Sequence, residues 1–284
     1  DVEFQARRKI FDLARQDGAK PFFGVVSFTS PHTPFNVTQQ YWDLYDHDKI
    51  GLPDVPAIPF AELDYFSKAL FFAHGRHRHS VTEDHLRKTR HAYFAMISYI
   101  DDKIGKLLDQ LEETGLRDDT VVIFTSDHGE MLGERGMWFK QCFWEWSARV
   151  PLVMSTPNGR RGARVEANTS LVDLAPTLID FGGGAGKFHE EMGGELAGNT
   201  ITALLDGEDS DWPDIAISDY LAIGPCVPCR MVRMGQYKYI RTHGQPDLLF
   251  KLVSDPDELQ NLADDPAHAA ILDDLHRIAM QGYD

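Results

Sequence analysis

The sequence is short of basic residues: 28 Lys and Arg stand against 44 Asp and Glu, a net charge of −16 with the 12 histidines neutral. So acidic a chain is excluded as a general nucleic-acid binder, because neutralising phosphates takes a surplus of Lys and Arg. Cysteine is scarce as well. Cys142, Cys226 and Cys229 leave one thiol unpaired under any scheme. This excludes a disulfide framework and favours a reducing, cytoplasmic location, with N-terminal sorting signals out of view. No apolar run approaches the roughly 20 residues of a helical membrane span, so no membrane partner is expected. The chain opens at Asp1 on an amphipathic pattern, with neither a Met nor a signal-like segment, and reads as lacking its natural N-terminus. Repeats are absent, and the only low-complexity tract is the glycine run at 182–186.

The remaining composition is that of a globular protein, 43% hydrophobic and 11% aromatic over 284 residues. That length fits one large domain with a small appendage. Residues 2–15 have helical spacing, with Gly18 as a stop. Residues 22–28 form a continuous apolar run that predicts a buried strand. Five prolines between 31 and 59 predict a long irregular excursion, the kind of loop that carries function in a compact domain. Residues 82–115 place Tyr93, Ile97, Ile100, Ile104, Leu107, Leu108 and Leu111 on one helical face. Residues 120–125 and 150–154 read as strands, the first covered on both sides, and 171–181 as a helix. Strand, long helix, strand is the pattern of a parallel sheet with packed helices. After the glycine run and the acidic stretch 206–214 the pattern turns antiparallel. Residues 230–234 and 237–242 flank the hairpin signal Gly235-Gln236, a third strand covers 248–252, and helices are expected after Asp255-Pro256 and at Pro266.

Chemistry concentrates after the predicted strands. Asp127-His128-Gly129 follows the 120–125 strand, and in open α/β sheets ligands bind beyond the strands' carboxyl ends. A carboxylate and an imidazole there can ligate one divalent cation if Gly129 lets the chain turn; the dipeptide alone equally fits an N-capping Asp beside a surface His. Lys140 lies in an aromatic segment, Met137-Trp138-Phe139-Lys140-Gln141-Cys142-Phe143-Trp144, where it could serve an anion or lay its stem over the rings. His32, between Pro31 and Pro34, is aimed by a rigid loop suited to general acid work, a role few loop histidines have. The run from His74 to His79, with His85 and His91 beyond, reads as a solvated or anion-steering face, since its arginines repel a cation. Cys226-Val227-Pro228-Cys229 is a lone C-x-x-C and reads as two ordinary thiols.

Four stretches together resemble the sulfatase family of the alkaline-phosphatase-like superfamily: Ser27-Phe28-Thr29-Ser30-Pro31-His32, Thr125-Ser126-Asp127-His128-Gly129-Glu130, Ser147-Ala148-Arg149-Val150-Pro151-Leu152, and the late segment from Phe250-Lys251-Leu252 through Asp255-Pro256-Asp257-Glu258 to Asn261-Leu262. Residues 131–140 are most similar to choline sulfatases, with phosphonate monoester hydrolases close relatives. The resemblance implies an α/β fold: the C-terminal part of an alkaline-phosphatase-like αβα sandwich with a mostly parallel mixed sheet over residues 1–208, plus a small antiparallel α+β subdomain over 209–284. It implies hydrolysis of sulfate monoesters by a formylglycine nucleophile beside a divalent cation, usually Ca2+, with Mn2+ or Mg2+ as alternatives. Asp127 and His128 would be metal ligands, Lys140 would hold a sulfate oxygen and His32 would assist the leaving oxygen.

The formylglycine motif and the early metal-binding aspartates of the family do not precede residue 22, so both are expected upstream of this chain. Cys226-Val227-Pro228-Cys229-Arg230 matches the motif literally, but it runs into a hairpin and not into a helix N-terminus, and is read as chance. The expected partners are a small sulfate ester, the missing N-terminal part of the same enzyme and a second copy in a homo-oligomer. A phosphonate or phosphate ester hydrolase and a non-catalytic binding module remain the rival readings. Within 219–224 the choline-specific relatives place a Glu where this chain has Ile223, which predicts a preference for uncharged esters unless Asp219 or a carboxylate elsewhere holds the cation.

Overall fold

A single helix of 31 residues organises the first half of the computed structural model, which describes residues 1–16, 20–184, 196–208 and 211–281. Helix α4 (Glu83–Glu113) is preceded by α1 (Val2–Ala14), α2 (Gln39–Trp42) and α3 (Tyr65–Ala73). Thr82 caps α4 by accepting the His85 N–H at 3.3 Å, while His85 Nδ1 accepts the Thr82 N–H, so a histidine takes the place a Glu usually has in this box. Past its end, Gly115 at φ +72° supplies the left-handed stop. The face carrying Ala92, Ala95, Met96 and Ile100 is buried. α1 lies against α4 through Arg7 and Gln110, and the excursion returns to it through Tyr41 on Asp102 and Tyr45 on Ser98.

Beyond α4, β1 (Val122–Thr125) pairs antiparallel with β2 (Leu152–Ser155), Val122 opposite Ser155 and Thr125 opposite Leu152. Between them lies a long loop holding only the short α5 (Glu145–Ala148) and a 3-10 turn. Helices α6 (Leu174–Phe181) and α7 (Thr202–Asp206) follow. An antiparallel meander of β3 (Ile215–Tyr220), β4 (Cys229–Met234), β5 (Tyr237–Thr242) and β6 (Leu248–Lys251) then carries α8 (Ala269–Met280) on one face. Gly235, at φ +52°, opens the turn that pairs Met234 with Tyr237.

Two cores result. The smaller seals α8 on the meander through Val232, Tyr239, Leu249 and Leu275. The larger is continuous from Phe66 and Leu70 on α3, through Met131, Met137, Phe143 and Trp144, to Cys229, Ile240 and Phe250 on the meander. Truncating a residue as enclosed as Leu70 would cost about 2–5 kcal/mol.

The α/β class, the long helix, the 171–181 helix, the hairpin and the Pro266 helix stand as read. Four readings are corrected. Residues 22–28 join no ladder among the described residues and leave Phe23 72% and Val25 76% exposed, because no described strand pairs with them. β1 is not covered on both sides, since Phe124 is 40% exposed, and its partner runs antiparallel. The segment between β1 and β2 holds no crossover helix long enough to return the chain in parallel. Asp255-Pro256 opens a turn, not a helix: the Asp255 carboxylate accepts the N–H groups of Leu259 and Gln260, and Glu258 turns to φ +55°. The predicted stop at Gly18, the end of the glycine run and residue 209 at the expected boundary lie outside the described residues.

Candidate active site

The site begins where β1 ends. The Asp127 carboxylate accepts the His128 N–H at 3.0 Å, and Ser126 Oγ donates to the His128 carbonyl at 2.7 Å, so a short polar turn follows the strand. His128 Nδ1 donates to the Gly129 carbonyl at 2.7 Å. That bond orients the ring and occupies Nδ1, so Nε2 is the nitrogen turned toward Asp127, 3.7 Å from its Oδ2. Gly129 is required for a reason other than a left-handed turn. Its N–H donates to the Ser147 carbonyl at 2.8 Å, and a Cβ there would sit 2.0 Å from the Trp146 carbonyl oxygen. Any side chain would push the loop off α5.

Residues 130–142 form a tight excursion in which Leu132, Arg135, Phe139 and Gln141 all have positive φ. Non-glycine residues adopt this region only when their surroundings over-determine it. Glu134, 2% exposed, accepts the N–H groups of Asp54 and Val55 and pairs with Arg90 at 3.0 Å. Arg135 stacks on Trp144, its guanidinium carbon 3.9 Å from the ring centroid, and donates to the carbonyls of Asp257 and Glu258. Glu130 accepts the Phe139 N–H at 2.5 Å and the Leu132 N–H at 3.4 Å. Burial holds the Glu130 carboxyl above its usual range, although those N–H groups and Lys140 pull the other way.

The excursion delivers Lys140 to the proline loop. Lys140 Nζ donates to His32 Nε2 at 2.7 Å, and His32 Nδ1 donates to the Thr33 carbonyl at 2.8 Å. The His32 ring stands edge-on to that of His128, with 6.2 Å between centroids. The four residues singled out in the sequence, His32, Asp127, His128 and Lys140, therefore meet in one partly exposed cluster of two imidazoles, a carboxylate and an ammonium. An anion placed there faces the Lys140 ammonium on one side and the imidazoles on the other. The donor types of Asp127 and His128, a hard carboxylate oxygen and an imidazole nitrogen, would fit a divalent cation. Among the described residues no group of three or more His, Cys, Asp or Glu could hold a metal ion, so these two donors do not make a complete site by themselves.

Other candidates take different places. His77 and Arg78 are exposed and bonded to each other, as a solvated face would be, whereas His74 turns inward to Gln141. His85 caps α4, and His91 is buried and stacked on Trp42 with 3.6 Å between ring centroids. Cys226 is exposed and Cys229 is buried at the first position of β4, with no helix starting there. Sequence reading missed Glu130, His74 and Gln141 as neighbours of the cluster. The adjacency of Glu130 to Asp127-His128-Gly129 was the one available signal.

The sulfatase family profile matches residues 5–184, and a profile of the C-terminal region of N-sulphoglucosamine sulphohydrolase matches residues 133–282. A choline-sulfatase from Rhizobium meliloti is 39% identical over 269 residues, covering 94% of this chain and 51% of the relative. A multifunctional alkaline phosphatase superfamily protein from Trinickia caryophylli is 31% identical, covering 99% of this chain and 59% of its own length. Among solved structures, a phosphonate monoester hydrolase from Silicibacter pomeroyi superposes with a TM-score of 0.80 at 26% identity, over 99% of this chain and 59% of that one. This chain thus spans about half the length of the curated relatives it matches. With the profile, the relatives and the shared alkaline-phosphatase-like fold in agreement, the chain belongs to the sulfatase family.

Proposed function

We propose that this chain forms the C-terminal part of a sulfuric ester hydrolase that cleaves small sulfate monoesters. The observation that carries the reading is the contact of Lys140 with His32 beside Asp127 and His128. In this reading Lys140 holds a sulfate oxygen as a point charge, and its ammonium offsets the negative charge that the ester oxygens keep through the transition state. The Thr33 carbonyl accepts from His32 Nδ1 and orients the ring, so that once the Lys140 ammonium has turned from Nε2 to the sulfate oxygen, Nε2 can take up a proton and pass it to the departing alkoxide. Asp127 and His128 would hold a divalent cation, Ca2+ by family habit, with further ligands from the other half of the fold. When bound, that ion supplies Lewis-acid neutralisation of the ester. The nucleophile, a formylglycine in this reading, also comes from that other half.

Residues 1–208 are read as catalytic-domain sequence and 209–284 as the appended antiparallel subdomain, sharing the larger core. Likeness to a phosphonate monoester hydrolase and to a multifunctional superfamily protein supports a second reading, phosphonate or phosphate ester hydrolysis by the same residues. Steady-state rates of the full-length enzyme on 4-nitrophenyl sulfate and 4-nitrophenyl phenylphosphonate, which share a leaving group, separate the two. The sulfatase reading requires the larger kcat/KM on the sulfate ester; the reverse order would replace it with the phosphonate reading.

A further inference from the structure

Lys140 is carried on backbone that its neighbours do not favour. Phe139 at φ +65° and Gln141 at φ +76° flank it, and a bulky aromatic residue in the left-handed region is an outlier that its surroundings must enforce. On one side Glu130 does so: its carboxylate accepts the Phe139 N–H, and the Phe139 carbonyl accepts the Met131 N–H at 2.8 Å. On the other side stands His74, the residue that closes α3. Its Nε2–H donates to Gln141 Oε1 at 2.7 Å, and its ring lies edge-on to the Phe139 ring with 5.3 Å between centroids. One imidazole thus grips both neighbours of Lys140. Burial, reinforced by the positive charges of Arg76 and Lys140, holds His74 below the usual histidine pKa against the pull of Gln141, so it puts no charge against the ammonium it frames.

We propose that His74 is a positioning residue: acting through Gln141 and Phe139, it fixes the Lys140 ammonium on His32 Nε2. Its geometric content stands on these contacts alone; its catalytic consequence rests on the reading of Lys140 as the group that holds the sulfate oxygen.

The test uses the full-length enzyme. His74→Phe keeps a ring against Phe139 and removes the donor, and His74→Gln restores a donor. Gln141→Asn, which tolerates the left-handed backbone but is too short to reach His74, gives the same loss from the other partner if His74→Phe fails to fold. The first readout is the 15N resonance of His32 Nε2. It should move in His74→Phe toward its position in Lys140→Ala and return in His74→Gln; an unchanged resonance in a folded variant overturns the proposal whatever the rates. The second is kinetic. His74→Phe should lower kcat/KM by up to about 10²-fold, the scale of a small misplacement, and should lower it no further in a Lys140→Ala background. The same loss in both backgrounds would mean a purely structural role and would also overturn it. If the resonance moves while Lys140→Ala leaves kcat/KM intact, the positioning stands and the role assigned to Lys140 fails.

Discussion

Lys140 and His32, 108 residues apart in the chain, meet at 2.7 Å with the imidazole as acceptor. Two groups so placed can act on neighbouring oxygens of one ester, and their losses should differ in kind. Lys140→Ala should lower kcat/KM by ~10²–10³ for every substrate, the scale of removing one electrostatic stabiliser. His32→Ala should slow alkyl esters far more than activated aryl esters, because only a poor leaving group needs the proton. A series of aryl and alkyl sulfates checks this; equal factors across the series would remove His32 from the leaving-group role.

Under the proposed function, substrate preference should turn on the loop after β3. Ile223 and Leu221 are exposed, and Asp219 on β3 is gripped by Arg230 at 2.6 and 2.9 Å. A quaternary ammonium needs a carboxylate with aromatic faces, and an Asp already neutralised by a guanidinium serves it poorly. The enzyme should prefer uncharged alkyl or aryl sulfates, and Ile223→Glu should move the ratio of kcat/KM values toward choline sulfate. Wild-type enzyme that turned over choline sulfate much faster than a neutral alkyl sulfate of equal size would end this reading.

Lys238 and Glu258, 1% and 0% exposed as side chains, pair at 2.7 Å, with Glu145 completing the cluster on Lys238. Lys238→Met strands a buried carboxylate and should cost about 3–5 kcal/mol in urea unfolding. Adding Glu258→Leu should recover a large part of that loss, since the unpaired charge goes with it. A double variant that lost the sum of the two single effects would show the residues to be uncoupled.

The three thiols should react in sequence. Cys226 is exposed, Cys229 is buried, and burial pushes the Cys142 thiol up to about 12, where almost no thiolate exists at neutral pH. Ellman's reagent should therefore titrate one thiol in the native protein and three in denaturant. Rapid native labelling of Cys142 would show that the segment around it opens.

Much of this was legible along the chain. The long helix announces itself through seven apolar positions on one face, and the four clustered residues through short motifs at the ends of apolar runs. The misread segments share a physical cause. Residues 22–28 are apolar enough for a buried strand, but apolarity does not say whether cover is present. β3 was missed because its outward positions Ser218 and Asp219 break any apolar run, as befits the edge of a meander. His74 was grouped with its basic neighbours because sequence places it beside Arg76 and His77, whereas the fold sets it on Gln141, 67 residues away. Glu258 looks like a surface acid until a left-handed turn carries it inward to Lys238.

The Glu258 tie also bears on how the molecule opens. Glu258 accepts the Glu145 N–H at 2.9 Å while bound to Lys238 on β5, and Arg135 of the site excursion donates to the Glu258 carbonyl. The excursion cannot detach without uncovering charges that the meander holds shut. Amide protons of residues 131–145 should therefore exchange with deuterium only as fast as those of β4 and β5, through one shared opening event. A fluctuation that loosens the meander would disarm the cluster in the same instant.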